Sequence, residues 1–287
     1  MKKNVIITSC NQRYGDFLIH HWYPSLIKHV NLKNTDVIVL DYGLKEEQCD
    51  VLKRTSVIVK KQTPSSQVVN KRFIDAVPIL EKSTYDQVLM IDCGDIIFQN
   101  DISFLFEENK HTFRAVPLDL EVLFHEIFIP GNFQKNVGKK IYEAIKDKPV
   151  INAGFILAPK EKFIHLCEQI DRLLINKSHY GPDQVIVNYI LHTEGVKLLP
   201  NIYNFMINNV KDSFTIQNGM FYTSDHTVIP IVHNAGHNGL LRPIFNFGYG
   251  KKYNTVNYPM YLFKRWYYGN LKYLKKIAAR LLLQSQS

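Results

Sequence analysis

Tyr85-Asp86-Gln87-Val88-Leu89-Met90-Ile91-Asp92-Cys93-Gly94-Asp95-Ile96-Ile97-Phe98 is the stretch that decides the fold. Its apolar run, Val88 to Ile91, stops at two carboxylates separated by Cys-Gly, and a second apolar run follows. A buried strand of an α/β sheet has this pattern where its C-terminal end opens into a site. Open sheets bind ligands at that edge, and carboxylates placed there suit a hard divalent cation set against a diphosphate.

Around this stretch the sequence alternates strand and helix. Strands are expected at residues 4–8, 36–40, 55–59 and 88–92. A polar loop (9–15) leads into a helix that carries Phe17, Trp22, Leu26 and Ile27 at helical spacing; further helices are expected from residue 45 and over 70–81, the latter broken near Pro78. Such a series makes a mostly parallel, doubly wound sheet. Beyond Asp101, residues 111–118 are strand-like, 121–135 show no clear period and 138–146 are helical. Residues 150–157 form a buried strand interrupted by Asn152-Ala153-Gly154, 161–174 an amphipathic helix, and Pro182 opens another helix. A last strand at 228–232 runs into His233-Asn234-Ala235-Gly236-His237.

At 287 residues the chain can bury a sizeable core. The formal charge of +9 is unevenly placed: residues 251–287 hold eight Lys or Arg and no acid, leaving about +1 for residues 1–250. A basic tail without a recognition module argues against nucleic acid as a partner. Cys10, Cys49, Cys93 and Cys167 have neither metal spacing nor framework density, and the apolar run after Lys3 is too short for a signal-peptide core. Both point to the cytoplasm. From Phe263 to Leu281, at about 100° per residue, Phe263, Trp266, Tyr267, Leu271, Leu274, Ile277, Ala278 and Leu281 share one side, while Lys264, Arg265, Lys272, Lys275, Lys276 and Arg280 share the other. The pattern suits a helix lying in an anionic membrane surface, or a terminal helix packed on the core.

Singly, each motif has an ordinary structural reading: a turn at Asp92 and Asp95, a bulge at Asn-Ala-Gly, a core histidine at 233, first-turn charge at Asp183. Their order is more specific. The series Val39-Leu40-Asp41-Tyr42-Gly43, the 85–95 stretch, Ile151-Asn152-Ala153-Gly154, Asp183-Gln184-Val185, Leu199-Pro200-Asn201-Ile202-Tyr203-Asn204-Phe205 and His233-Asn234-Ala235-Gly236 resembles the GT-A glycosyltransferases. It looks most like family 8, within it the bacterial lipooligosaccharide galactosyltransferases and glycogenin-like enzymes, and the resemblance spans residues 4–243.

That resemblance implies a GT-A domain over 1–250, with a nucleotide-binding half (1–101) and a donor-sugar and acceptor half (102–250), followed by a membrane-associating tail (251–287). It implies retaining transfer of a hexose from a nucleotide diphosphate sugar, UDP-linked in most members, with Mn²⁺ or Mg²⁺. The acceptor would be a cell-surface glycan or lipid-linked, and the enzyme would sit on the inner face of the plasma membrane. By match, Asp92, Asp95 and His233 hold the metal. Thr8, Tyr14, Asp41, Arg72, Asn152, Gly154, Gly236 and Arg242 bind the donor. Asp183 and Gln184 lie beneath the anomeric carbon.

Three departures matter. Asp-x-x-Asp is one residue longer than the family's Asp-x-Asp, and strand positions i and i+3 do not share a face. Gly94 must therefore supply a bulge or turn, or only one aspartate binds metal. The loop 9–14 lacks the acidic residue that family members place near the base. Arg242-Pro243 comes late, so His237 competes with His233. The sequence shows no obvious pair of glutamates for double displacement; if the reaction inverts, Asp119, Glu121 or Glu126 are the candidate bases. Two rival readings are a nucleotidyltransferase, for which 9–15 makes a poor phosphate loop, and a non-catalytic nucleotide-sugar-binding protein.

Overall fold

The computed structural model describes residues 2–64, 67–119, 129–235, 242 and 244–256, together with positions 259, 261–263, 266, 270, 273, 274, 277 and 281. In chain order come β1 (Asn4–Cys10), α1 (Gln12–Phe17), a π-helical turn (Leu18–Trp22), α2 (Tyr23–His29), β2 (Thr35–Asp41), α3 (Glu46–Lys53), β3 (Ile58–Lys61), α4 (Val68–Glu81) and β4 (Gln87–Ile91). Then follow β5 (Ile96–Phe98), β6 (Phe113–Pro117), α5 (Lys135–Ile145), β7 (Ile151–Pro159), α6 (Lys160–Leu173), α7 (Pro182–Glu194), β8 (Val196–Leu198), β9 (Phe205–Met206), β10 (Phe214–Gln217), β11 (Met220–Thr223) and β12 (Ile231–His233).

The central sheet has the order β3-β2-β1-β4-β7-β6-β8. β3, β2, β1 and β4 run parallel, as the alternation of elements requires, and β7 is antiparallel to both β4 and β6. Strand side chains alternate between faces, and here both faces are covered. Val5, Ile7, Ile38, Leu40, Val88 and Met90 pack with Phe73 of α4, Phe163 of α6 and Val187 of α7. Ile6, Val37, Val39, Leu89 and Ile91 pack with Trp22, Leu26 and Leu52 on the opposite side. That is why these strands read as continuous apolar runs rather than as alternation.

A second sheet, β5-β12-β9, stands beside the first, and β10 and β11 form a hairpin. The hairpin turns at Asn218 (φ 51°) and Gly219 (φ 77°), the conformation for which Asn-Gly is favoured. The Asn218-Gly219 dipeptide is the local signal for this hairpin. The strands of the second sheet are two or three residues long, too short to carry a period.

Several expectations shift. β1 continues to Cys10 and α1 begins at Gln12, so the loop over 9–15 shrinks to Asn11, whose side chain accepts from Arg13 N and caps the helix. Trp22 and Leu26 are buried but Ile27 is 51% exposed. The third strand lies at 58–61, because Thr55 is taken up in capping: its hydroxyl donates to Leu52 O and accepts from Val57 N. α4 runs through Pro78 unbroken. Pro78 deletes one helical hydrogen bond, and Phe73, Ala76 and Leu80, all fully buried, hold the helix on the sheet regardless. β7 is continuous through Asn-Ala-Gly, and the last strand is 231–233 rather than 228–232.

In the tail, the described positions from 259 to 281 are helical. Phe263, Trp266, Leu274, Ile277 and Leu281 are all exposed, so at these positions the apolar face is not packed on the core. Tyr267, Leu271, Ala278 and the basic positions 264, 265, 272, 275, 276 and 280 lie outside the described residues. Among the described residues no helix is long and apolar enough to cross a membrane.

Candidate active site at the seam of two sheets

β1, β2 and β4 end side by side at Cys10, Asp41 and Ile91, the C-terminal edge of the parallel strands. Asp92 leaves β4 there; Asp95 precedes β5 of the second sheet. Residues 92–95 are therefore the bridge between sheets, and regular strand geometry no longer governs which way the two carboxylates face. β12 pairs with β5 so that His233 lies opposite Ile96, and Asn234 N donates to Asp95 O at 2.8 Å. One ligand atom each from Asp92, Asp95 and His233 falls within 4.8 Å of the others. The four-residue motif thus brings both aspartates to one point, and His233 is the histidine that joins them; His237 lies outside the described residues.

Gly94 serves this bridge by its size. A Cβ there would stand 2.7 Å from the Tyr14 ring, and the Arg242 guanidinium lies 5.5 Å from the centre of the same ring. Arg242 Nη2 donates to Asp95 Oδ2 at 2.8 Å and Nη1 to Gly94 O at 3.2 Å. Gly154 has the same logic: its Cβ would meet Asp92 Oδ2 at 2.5 Å. Asn-Ala-Gly within β7 marks a close approach, not an interruption.

Arg72, on α4 and 3% exposed, pairs with Asp92 and donates to Ala153 O at 3.1 Å. Burial would raise the Asp92 carboxyl; the Arg72 guanidinium, with Arg242 adding to it, outweighs it and holds the group below the ordinary carboxylate range. Asp183, in the first turn of α7, is 3% exposed. Burial pushes its carboxyl up to about 6, against the pull of Arg72. Gln184 follows, partly buried.

The remaining expected residues fall as follows. Thr8 is fully buried and donates to Ile91 O at 2.7 Å, joining β1 to β4 under the site. Asp41 closes a turn, accepting from Gly43 N (2.8 Å) and Leu44 N (2.6 Å). Asn152 Oδ1 accepts from Gly154 N at 2.9 Å and from Asn204 Nδ2 at 3.0 Å. Asp119 accepts from Asn201 Nδ2 and Lys211 N, which gives it a bracing role. Gly236, Glu121 and Glu126 lie outside the described residues. Two further residues reach the site: Trp22 Nε1 donates to Asp92 O at 2.9 Å, and Asn204 Oδ1 lies 2.9 Å from His233 Nδ1. Trp22 reads along the sequence as core, and Asn204 stands in the Leu199–Phe205 motif of the resemblance without a role assigned to it.

Two carboxylates and an imidazole at the edge of a parallel sheet could hold a cation, and each carboxylate is paired with an arginine. The chain has a GT-A fold. It superposes on the apo structure of WbbM, a bifunctional glycosyltransferase, with TM-score 0.56 at 14% identity over 92% of this chain and 50% of that one. It matches the galactosyltransferase LgtC in complex with donor and acceptor sugar analogues with TM-score 0.55 at 14% identity, over 91% and 95% of the two chains. GlyE of Streptococcus pneumoniae matches with TM-score 0.51 at 16% identity, over 92% and 60%. This chain thus spans half of WbbM but nearly all of LgtC. No protein-family model and no curated protein sequence matches it.

Proposed function

We propose that this protein is a metal-dependent glycosyltransferase that moves a hexose from a nucleotide diphosphate sugar, UDP-linked in the first instance, to a cell-surface glycan or lipid-linked acceptor. The observation that carries the reading is the convergence of Asp92, Asp95 and His233 within 4.8 Å at the C-terminal edge of a GT-A sheet. The two carboxylate oxygens suit Mn²⁺ or Mg²⁺, and the imidazole nitrogen favours the transition metal, Mn²⁺, of the two. Such a cation, when bound, neutralises charge developing on the diphosphate leaving group.

The protein's own groups have definite tasks in this reading. Arg242, beside Asp95 and over Tyr14, and Arg72, beside Asp92, stabilise the departing phosphates. Asn152 and Gly154 line the donor sugar; Asp183 and Gln184 underlie the anomeric carbon. Transfer proceeds with retention, the leaving phosphate oxygen taking the acceptor proton on the face it departs from. Residues 1–250 form the catalytic unit, its first half (1–101) holding the nucleotide. The exposed apolar side chains of the tail seat the enzyme on an anionic membrane at the cytoplasmic face.

Nucleotide release across a panel of nucleotide sugars, with Mn²⁺, Mg²⁺ or EDTA, tests the proposal in wild type and Asp95→Ala. Metal-dependent turnover of one donor, abolished by the substitution, is expected. Turnover indifferent to both EDTA and Asp95→Ala would overturn the metal assignment. Donor binding without turnover, even with candidate acceptors, would favour the non-catalytic reading.

A further inference from the structure

We propose that Asn204 is a positioning residue: it fixes the tautomer in which His233 can ligate a cation and ties that ligand to the donor-facing strand through Asn152. The inference rests on reading Asp92, Asp95 and His233 as a metal site.

One backbone group determines the whole pattern. Gly154 N–H can only donate, and it meets Asn152 at 2.9 Å, so the atom facing it is the amide oxygen. The same oxygen lies 3.0 Å from Asn204, which must therefore present its NH₂ group. That leaves the Asn204 carbonyl oxygen toward His233 Nδ1, at 2.9 Å, and Nδ1 carries the hydrogen. His233 Nε2 faces Asp95 Oδ1 at 3.3 Å and Asp92 Oδ2 at 4.0 Å. With Nδ1 protonated, the Nε2 lone pair is the one directed at the carboxylates, the arrangement a metal-ligating histidine needs.

Asn204 is 3% exposed and His233 2%, so bulk water does not take the place of these bonds. The relay also crosses the seam. Asn152 is on β7 of the large sheet, while Asn204 precedes β9 and His233 ends β12 of the small one. Metal ligand and donor-facing strand are therefore held to each other. Because Asn152 is gripped by its oxygen, its NH₂ group remains to donate to a ligand.

The test uses the full chain, Mn²⁺ alone as the probe, and ¹⁵N-histidine correlation spectra at alkaline pH, with the His233 signal identified by its loss in His233→Gln. Wild type should show Nδ1 protonated and Nε2 bare. Asn204→Ala should shift the proton toward Nε2 and weaken Mn²⁺ about 10- to 100-fold. Asn204→Asp keeps an acceptor for Nδ1–H but offers Asn152 no donor. It should restore the wild-type tautomer and Mn²⁺ affinity but raise the donor KM, because Asn152 loses its donor. A wild-type tautomer in folded Asn204→Ala would overturn the proposal. Should that variant not fold, loss of the Nδ1 proton in Asn204→Asp would do the same. If wild type binds no Mn²⁺, the metal reading falls, whereas the spectra need no metal and still decide the role of Asn204.

Discussion

Arg242 Nη2 lies 2.8 Å from Asp95 Oδ2, and Arg72 pairs with Asp92, so each carboxylate of Asp-x-x-Asp is matched to an arginine from a different part of the chain. In the proposed metal site, the cation would share the Asp95 carboxylate with Arg242. Arg242→Met should therefore lower kcat about 10²- to 10³-fold, the loss typical of one preorganised charge donor, while Mn²⁺ binds as tightly as before or more so. Parallel kcat and Mn²⁺ titrations check this; a fall in Mn²⁺ affinity would show instead that Arg242 orients Asp95.

Gly154→Ala forces a methyl group to 2.5 Å from Asp92 Oδ2 and 2.6 Å from Asn152 Oδ1. The crowding should cost about 1–3 kcal/mol of stability, and Mn²⁺ affinity should drop at least about tenfold, as for a disturbed ligand shell. Calorimetric titration with Mn²⁺ alone gives the answer, and unchanged affinity would mean that Asp92 is not a ligand.

Gly94→Ala places its methyl 2.7 Å from the Tyr14 ring. The crowding should cost about 1–3 kcal/mol. Tyr14→Ala in the same chain should return most of it, since the two effects act through one contact. Denaturant unfolding of both single variants and the double variant measures the coupling; additive losses would refute the contact.

Asp183 gives a pH signature. Its carboxyl is raised to about 6 in the folded protein, chiefly by burial, against about 4 unfolded. The folded state thus holds this proton more tightly. The resulting stability is fully present below about pH 4 and is lost as pH rises through about 6. At pH 7 the ionised group costs about 3 kcal/mol. Asp183→Asn should therefore be the more stable protein at pH 7, with its advantage over wild type shrinking as pH falls from 7 to 4. Activity should be lost throughout. Melting curves at several pH values test the sign, and a constant difference would show that Asp183 does not titrate in this range.

Much of this was legible along the chain because it is local. Strands buried on both faces must be continuously apolar, and the break at Asp92 could only be an edge. Gly beside Asn-Ala and Pro182 at a helix start report backbone needs within a few residues. The alternation over residues 4–91 thus specified the parallel sheet, and the motif order pointed to the fold later matched by LgtC. The π-helical turn between α1 and α2 and the unbroken α4 were not legible, because packing on the sheet overrides local propensity there.

The sequence by itself determined which residues can do chemistry: Asp92, Asp95, His233 and the flanking arginines are the right types in the right order. Whether Asp92 and Asp95 could act together was decided only in three dimensions. Residues 92–95 join two separate sheets, so the pairing of β5 with β12 aims the second carboxylate, and no strand periodicity does. Asn204 stands in one of the sequence motifs, but its role belongs to that second category. Its partners lie 52 and 29 residues away, and a hydrogen bond between buried side chains leaves no period or spacing in the chain that forms it.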